Sequence, residues 1–169
     1  LVGEENRGLE YMFIMMNAAR FAVGMQGIGL AERSYQQAVA FAKDRVQSRD
    51  LAGSAGPVSI IHHPDVRRML MSMRSQVEAA RALVYQAAKD IDAGAKDVKL
   101  ASMTKLFATE VANFIADECT RIHGSYGFAM EYDAQRYYRD ARFLLYGGGT
   151  SEVLRNVISK AMGVPESRK

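Results

Sequence analysis

From Pro64 to about Ala93 the apolar residues Val66, Leu70, Met73, Val77, Ala80, Val84, Ala87 and Ile91 recur every three or four positions, while Arg67, Arg74, Glu78, Arg81 and Lys89 occupy the other faces. A chain that holds this period for so long can bury its apolar stripe only as a helix against other helices. Pro64 opens the run where a missing N–H costs nothing, Asp65 suits the positive end of the helix dipole, and Gly94 supplies a stop. No stretch shows sustained period-2 alternation, so no sheet is expected.

The same period, drifting, runs from about Leu9 to Arg45 through Leu9, Met12, Phe13, Met16, Ala19, Val23, Ile28, Ala31, Tyr35, Ala38 and Phe41. Gly24, Gly27 and Gly29 interrupt it, each costing about 1 kcal/mol relative to Ala. Either a bend or a close helix contact must compensate, and the shared face of Gly24 and Gly27 favours the contact. A third helix is expected over about Asp97–His123, with Leu100, Met103, Phe107, Val111, Phe114, Ile115 and Ile122 inward and Gly124 ending it. Shorter ones follow over about Asp133–Ala141 and Thr150–Met162. The Gly-, Ser- and Pro-rich connection Gln47–His63 reads as mobile. The fold expected is all-α, an antiparallel four-helix bundle over 9–163, with 1–8 the end of a preceding segment and 164–169 a tail.

Charged residues break every apolar run before the ~20 residues a membrane span needs. The 22 Lys and Arg against 19 acidic residues leave a dispersed +3, too little to argue for nucleic acid. A lone Cys119 excludes an internal disulfide and suits a reducing, cytoplasmic compartment. The chain opens Leu1-Val2-Gly3-Glu4-Glu5, without Met or a basic start, and reads as a piece of a longer protein.

Chemistry concentrates between Arg121 and Ala161. Gly147-Gly148-Gly149 precedes Thr150-Ser151-Glu152, where a helix should start; such a run lets main-chain N–H groups approach phosphate or a developing oxyanion, and equally describes a flexible loop capped by Thr150. His62-His63 lacks a third ligand and the spacing of a metal site, so no metal is expected. His123 reads as a residue interacting with a helix dipole, Cys119 as a small core residue, and Tyr137–Arg142 as an amphipathic segment with a solvent ion pair.

The ordered set Ala31-Glu32-Arg33, Lys43-Asp44-Arg45, Ile122-His123-Gly124-Ser125-Tyr126-Gly127-Phe128, Glu131-Tyr132, Arg139-Asp140-Ala141-Arg142 and Gly149-Thr150-Ser151-Glu152 resembles the C-terminal helical domain of FAD-dependent acyl-CoA dehydrogenases across essentially the whole chain. The Gly-Pro insert and His63-Pro64-Asp65-Val66-Arg67-Arg68 are most similar to the branch containing methylmercaptopropionyl-CoA dehydrogenases. The resemblance implies absent N-terminal and middle domains, a homo-oligomer, an acyl-CoA substrate, an electron-transferring acceptor protein, and FAD lying between domains and reaching a neighbouring subunit. It implies cofactor contacts at Arg45, Arg121, Gly124, Ser125, Thr150 and Glu152. Arg121 stands where a glutamine is usual, Ser48 where a phenylalanine is expected, and Ser125 where a second glycine is expected.

The same resemblance leaves the general base unidentified. The family's Tyr-Glu-Gly-Thr appears as Gly147-Gly148-Gly149-Thr150, so Gly148 holds the glutamate position; the alternative site, just before an arginine matching Arg20, is Ala19. Neither can take the α-proton of an acyl thioester. Three readings follow: part of an acyl-CoA dehydrogenase with a base supplied elsewhere, a base-less structural subunit that binds cofactor or acyl-CoA, or an independent helical binding module. On the first two, Gly148→Glu is expected to restore proton abstraction, provided the backbone at 148 has an ordinary φ.

Overall fold

The computed structural model describes residues 2–95 and 97–164. Leu1 and all but Val164 of the tail expected at 164–169 lie outside the described residues. Five α-helices follow in order: α1 Gly8–Asp44, α2 Pro64–Asp92, α3 Val98–His123, α4 Ala134–Leu144 and α5 Ser151–Ala161. Short 3-10 turns cover Ile60–His62 and Gly124–Gly127. The protein is all-α, as its periodicity requires; no helix among the described residues is long and apolar enough to cross a membrane.

Pairings along the helices give their directions. Gly24 lies against Thr104, Gly27 against Ala108, and Phe41 against His123, so α1 and α3 run parallel. Glu32 meets Arg81 at 2.6 Å while Tyr35, one turn on, lies under Arg74, so α2 runs back along α1. Lys105 reaches Leu145 O and Asn113 reaches Ala141 O, so α4 returns along α3. The short α5 follows α3, with Arg155 3.2 Å from Glu110.

The α1–α3 contact explains the glycines of α1. A Cβ at Gly27 would stand 2.9 Å from Ala108 O, and one at Gly24 3.2 Å from Thr104 Cγ2; α1 stays continuous through both. Close packing, not a bend, offsets their helix cost, whereas Gly29 faces open space. Ala31, Ala38, Ala112, Ala116 and Cys119 extend this small-residue seam, and Met73, Val77, Ala80 and Ile115 fill the core beside it. Thiol burial pushes Cys119 up to about 12.

Some expectations need correction. Met103 and Phe107, placed inward by spacing alone, are 37% and 38% exposed. Leu9, Met12, Phe13 and Ile91 are exposed too, because no helix among the described residues covers the end of the bundle where the start of α1 meets the end of α2. α4 continues past Ala141 to Leu144, whose side chain is buried. The connection expected to be mobile is a hydrogen-bonded clasp: Val46 and Ser59 form an antiparallel bridge, flanked by Gln47 N–H to Val58 O and Val58 N–H to Ser48 O, both 2.9 Å. Asp50 and Ser54 close its far end by exchanging hydrogen bonds.

Candidate functional site

The ends of α1 and α3, the clasp and the start of α2 together form a cleft of about 680 Å³. Arg45, Arg49, Arg121, His63 and His123 line it with Ser48, Gly124 and Ser125; no carboxylate is among its lining residues. The sequence separates these groups widely, yet each is placed by a local feature. Arg45 is the C-cap of α1, and its guanidinium lies 5.5 Å from the centre of the Tyr126 ring. Gly124 ends α3 with φ +60° and turns the chain into the 3-10 segment. Gly127 then passes so close to the Thr120 carbonyl that a Cβ there would overlap it. His63 caps the clasp through a 2.8 Å contact between Nε2 and Gln47 O. Ser48 adopts φ +61°, unusual for a residue with a side chain, within the segment that carries Arg49.

Two buried groups support the cleft floor. Glu118 is buried and accepts from Arg121 Nη1 at 2.8 Å, which fixes a largely exposed guanidinium; its second oxygen has no partner. His123 stacks on Phe41 at 4.2 Å, with Nδ1 2.8 Å from Cys119 O. Burial pushes the imidazole down, and the Cys119 carbonyl only partly offsets this. The side chain is therefore a neutral, buried ring at neutral pH rather than the dipole-complementing cation expected of a helix C-terminus.

Thr150 and Glu152 stand elsewhere. They open α5 beside the glycine turn, which is anchored by Lys105; Lys105 and Arg121 are separated by about 24 Å along α3 at 1.5 Å per residue. The cleft thus gathers four of the six expected cofactor residues, Arg45, Arg121, Gly124 and Ser125, and leaves the other two at a second locus. There Thr150 Oγ1 accepts from Val153 N–H at 3.3 Å, as an N-cap should. The Glu152 carboxyl is held below its usual range by its own main-chain N–H and by the Thr150 hydroxyl. Gly148 and Gly149 have φ +75° and +108°, so the glycine run is a shaped turn and not a loose spacer.

Sequence reasoning overlooked Arg49 and Lys105. Lys105 had a signal: it shares the helical register of Ala101, Ala108 and Ala112, and a lysine on an otherwise buried stripe requires a partner. Arg49 had none, because its place depends on the clasp.

The helical bundle thus carries at one end a cleft lined by three arginines, one of them paired with Glu118, and at the other a shaped glycine turn. The family model described as acyl-CoA dehydrogenase, C-terminal domain, matches residues 6–163, and the chain belongs to that family. It is similar to 3-methylmercaptopropionyl-CoA dehydrogenase of Ruegeria pomeroyi, 46% identical over 169 residues covering 92% of this chain and 29% of that protein. Benzylmalonyl-CoA dehydrogenase of Aromatoleum aromaticum is 39% identical over 93% of this chain and 40% of its own length. The structure of butyryl-CoA dehydrogenase from Megasphaera elsdenii superposes with a TM-score of 0.87 at 32% identity, over 95% of this chain and 40% of that one. The chain therefore spans well under half the length of these relatives.

Proposed function

We propose that the protein containing this chain is an FAD-dependent acyl-CoA dehydrogenase in which residues 9–163 form the C-terminal domain, 1–8 end the preceding segment and 164–169 form a tail. The observation that carries this reading is the cleft lined by three arginines and two histidines, in which the one carboxylate paired with an arginine is the buried Glu118 behind Arg121. Such a donor set fits a diphosphate: the arginines give charge-assisted hydrogen bonds, and Gly124 and Ser125 let the main chain approach closely. Arg45, Arg121, Gly124 and Ser125 would hold the diphosphate of FAD bound mainly by a neighbouring subunit. Thr150 and Glu152, too distant to share that contact, would face a second cofactor or another part of the same one. An ionised Glu152 repels phosphate, so its partners would be hydroxyl groups. The cofactor held there would supply the hydride acceptor for oxidation of the acyl chain.

The reading includes a homo-oligomer, an acyl-CoA substrate, an electron-transferring acceptor protein and a cytoplasmic setting. Its test is purification of the full-length protein with measurement of flavin content. Arg45→Ala and Arg121→Ala should each lower FAD retention, more steeply at low salt. Full retention in both variants would remove the cleft from the cofactor site.

A second reading, a base-less subunit of the same family, is favoured by one observation: Gly148, with φ +75°, replaces the expected glutamate, and Ala19 fills the alternative position. Acyl-CoA-dependent flavin bleaching with rapid α-proton exchange would show that a base operates from outside this chain. Tight acyl-CoA binding without either signal would establish the base-less subunit.

A further inference from the structure

Two buried cations converge on the glycine turn, and no carboxylate among the described residues pairs with either. Lys105 is fully buried; its Nζ donates to Leu145 O at 3.1 Å and to Gly149 O at 2.7 Å, the two ends of the turn. Arg20, 6% exposed, donates from Nε to Gly148 O at 3.2 Å and from Nη1 to Asn17 Oδ1. Burial pushes the Lys105 ammonium down, and the Arg20 charge contributes in the same direction. A methionine would fill the same space without desolvating a charge. The cost is offset only by what the amine holds.

What it holds follows from peptide geometry. The peptides are trans, so each C=O points opposite to the N–H of the next residue. With Gly148 O and Gly149 O drawn inward to Arg20 and Lys105, the N–H groups of Gly149 and Thr150 must point outward. Neither has an acceptor among the described residues. Adjacent outward amides at positive-φ glycines form a concavity suited to an anionic or partly anionic oxygen.

We propose that Lys105, assisted by Arg20, is a positioning residue that pulls the turn's carbonyls inward and thereby presents the Gly149 and Thr150 amides to a ligand oxygen, either of an acyl-CoA thioester or of the flavin nucleotide. The ligand's identity rests on the function proposed above; the hold on the turn does not.

The test uses the full-length, flavin-loaded protein with Lys105→Met, which removes the donor, and Lys105→Gln, which restores a shorter one. Met73→Ala, in the core away from the turn, reports plain destabilisation. Hydrogen exchange of the segment 145–152 is followed without ligand, and dissociation constants are measured for FAD and for 3-methylmercaptopropionyl-CoA. Lys105→Met should speed exchange in 145–152 while α2 stays protected, and weaken one of the two ligands by about tenfold, the order expected for one hydrogen bond. Lys105→Gln should recover part of both effects. Weakening of acyl-CoA alone assigns the amides to the thioester, and weakening of FAD alone assigns them to the cofactor. Unchanged exchange and unchanged affinities, or loosening spread through the bundle as in Met73→Ala, would overturn the proposal. If Lys105→Met does not fold, Arg20→Met must show the same local exchange and ligand loss, and its failure to do so overturns the proposal equally. An unmodified protein that binds neither ligand would sink the functional reading, while the exchange comparison would still decide the hold.

Discussion

Position 148 is constrained by its backbone as well as by its chemistry. The nearest atoms to a Cβ there, Arg20 Cγ and Val23 Cγ2, are 3.8 Å away, so space is ample, but φ is +75°. An L-residue with a side chain pays about 1–2 kcal/mol in that region. The condition on which Gly148→Glu was expected to restore a base is therefore not met: the exchange should lower thermal stability by about that amount and leave acyl-CoA-dependent flavin reduction without the roughly 10² to 10⁴ gain of a positioned base. Calorimetry and stopped-flow bleaching of the full-length variant check both outcomes. His123 makes a second prediction at this scale. Burial lowers its pKa below the ordinary 6.5, so the unfolded chain binds more protons than the folded one as pH falls. The stabilisation from keeping it neutral is complete above 6.5 and is lost progressively as pH drops through that value towards the lowered folded pKa. Asp65, Asp133 and Glu152 have lowered carboxyl pKa values and lose their contributions at more acid pH. Denaturant titrations from pH 7 to 5 should show a decline that His123→Phe flattens, since phenylalanine can stack on Phe41 and does not titrate.

Helix α1 shows what spacing can and cannot reveal about an element. Two glycines on one face implied a close neighbour, and the neighbour is α3. Gly27→Ala drives a methyl into the Ala108 carbonyl and should cost about 1–3 kcal/mol, whereas Gly29→Ala, in open space, should gain up to about 1 kcal/mol of helix propensity. Equilibrium unfolding of the pair tests the packing directly, because propensity alone predicts a gain for both. The helices themselves were legible because an amphipathic period is a local property of the chain. The clasp was not, since Gly, Ser and Pro mark a departure from helix without saying whether Val46 will meet Ser59. Burial was misread at Met103, Phe107 and the start of α1 for a related reason: periodicity identifies an apolar face but not whether this chain supplies its cover. At the candidate site, Gly124 and the glycine run announced themselves by composition, while the meeting of Arg45, Arg49 and Arg121 depends on three elements closing together.

On the scale of the whole molecule, the bundle is folded around its own core yet leaves apolar surface at one end. Leu9, Phe13, Ile14 and Met15 are 71%, 54%, 64% and 57% exposed in the first turns of α1. Contiguous apolar surface of this kind marks an interface, and the relatives whose length this chain spans by 29% to 40% contain the material to cover it. The cleft proposed for the diphosphate has the same incompleteness: its arginines are exposed, and one wall of polar groups would contact only part of a large nucleotide. Association must also offset several kcal/mol of lost translational and rotational freedom, which half a site with solvent-exposed arginines cannot do. The chain expressed alone should therefore keep its helical circular dichroism, retain no flavin through gel filtration, and sediment with a mass that rises with concentration. Replacing Leu9, Phe13 and Met15 by serine should return it to a monomer without restoring flavin, because the two deficits lie on different surfaces. A strictly monomeric parent chain at high micromolar concentration would mean that α1's apolar turns are not an association surface in the isolated chain; stoichiometric flavin would mean that the cleft is a whole site and needs no neighbour.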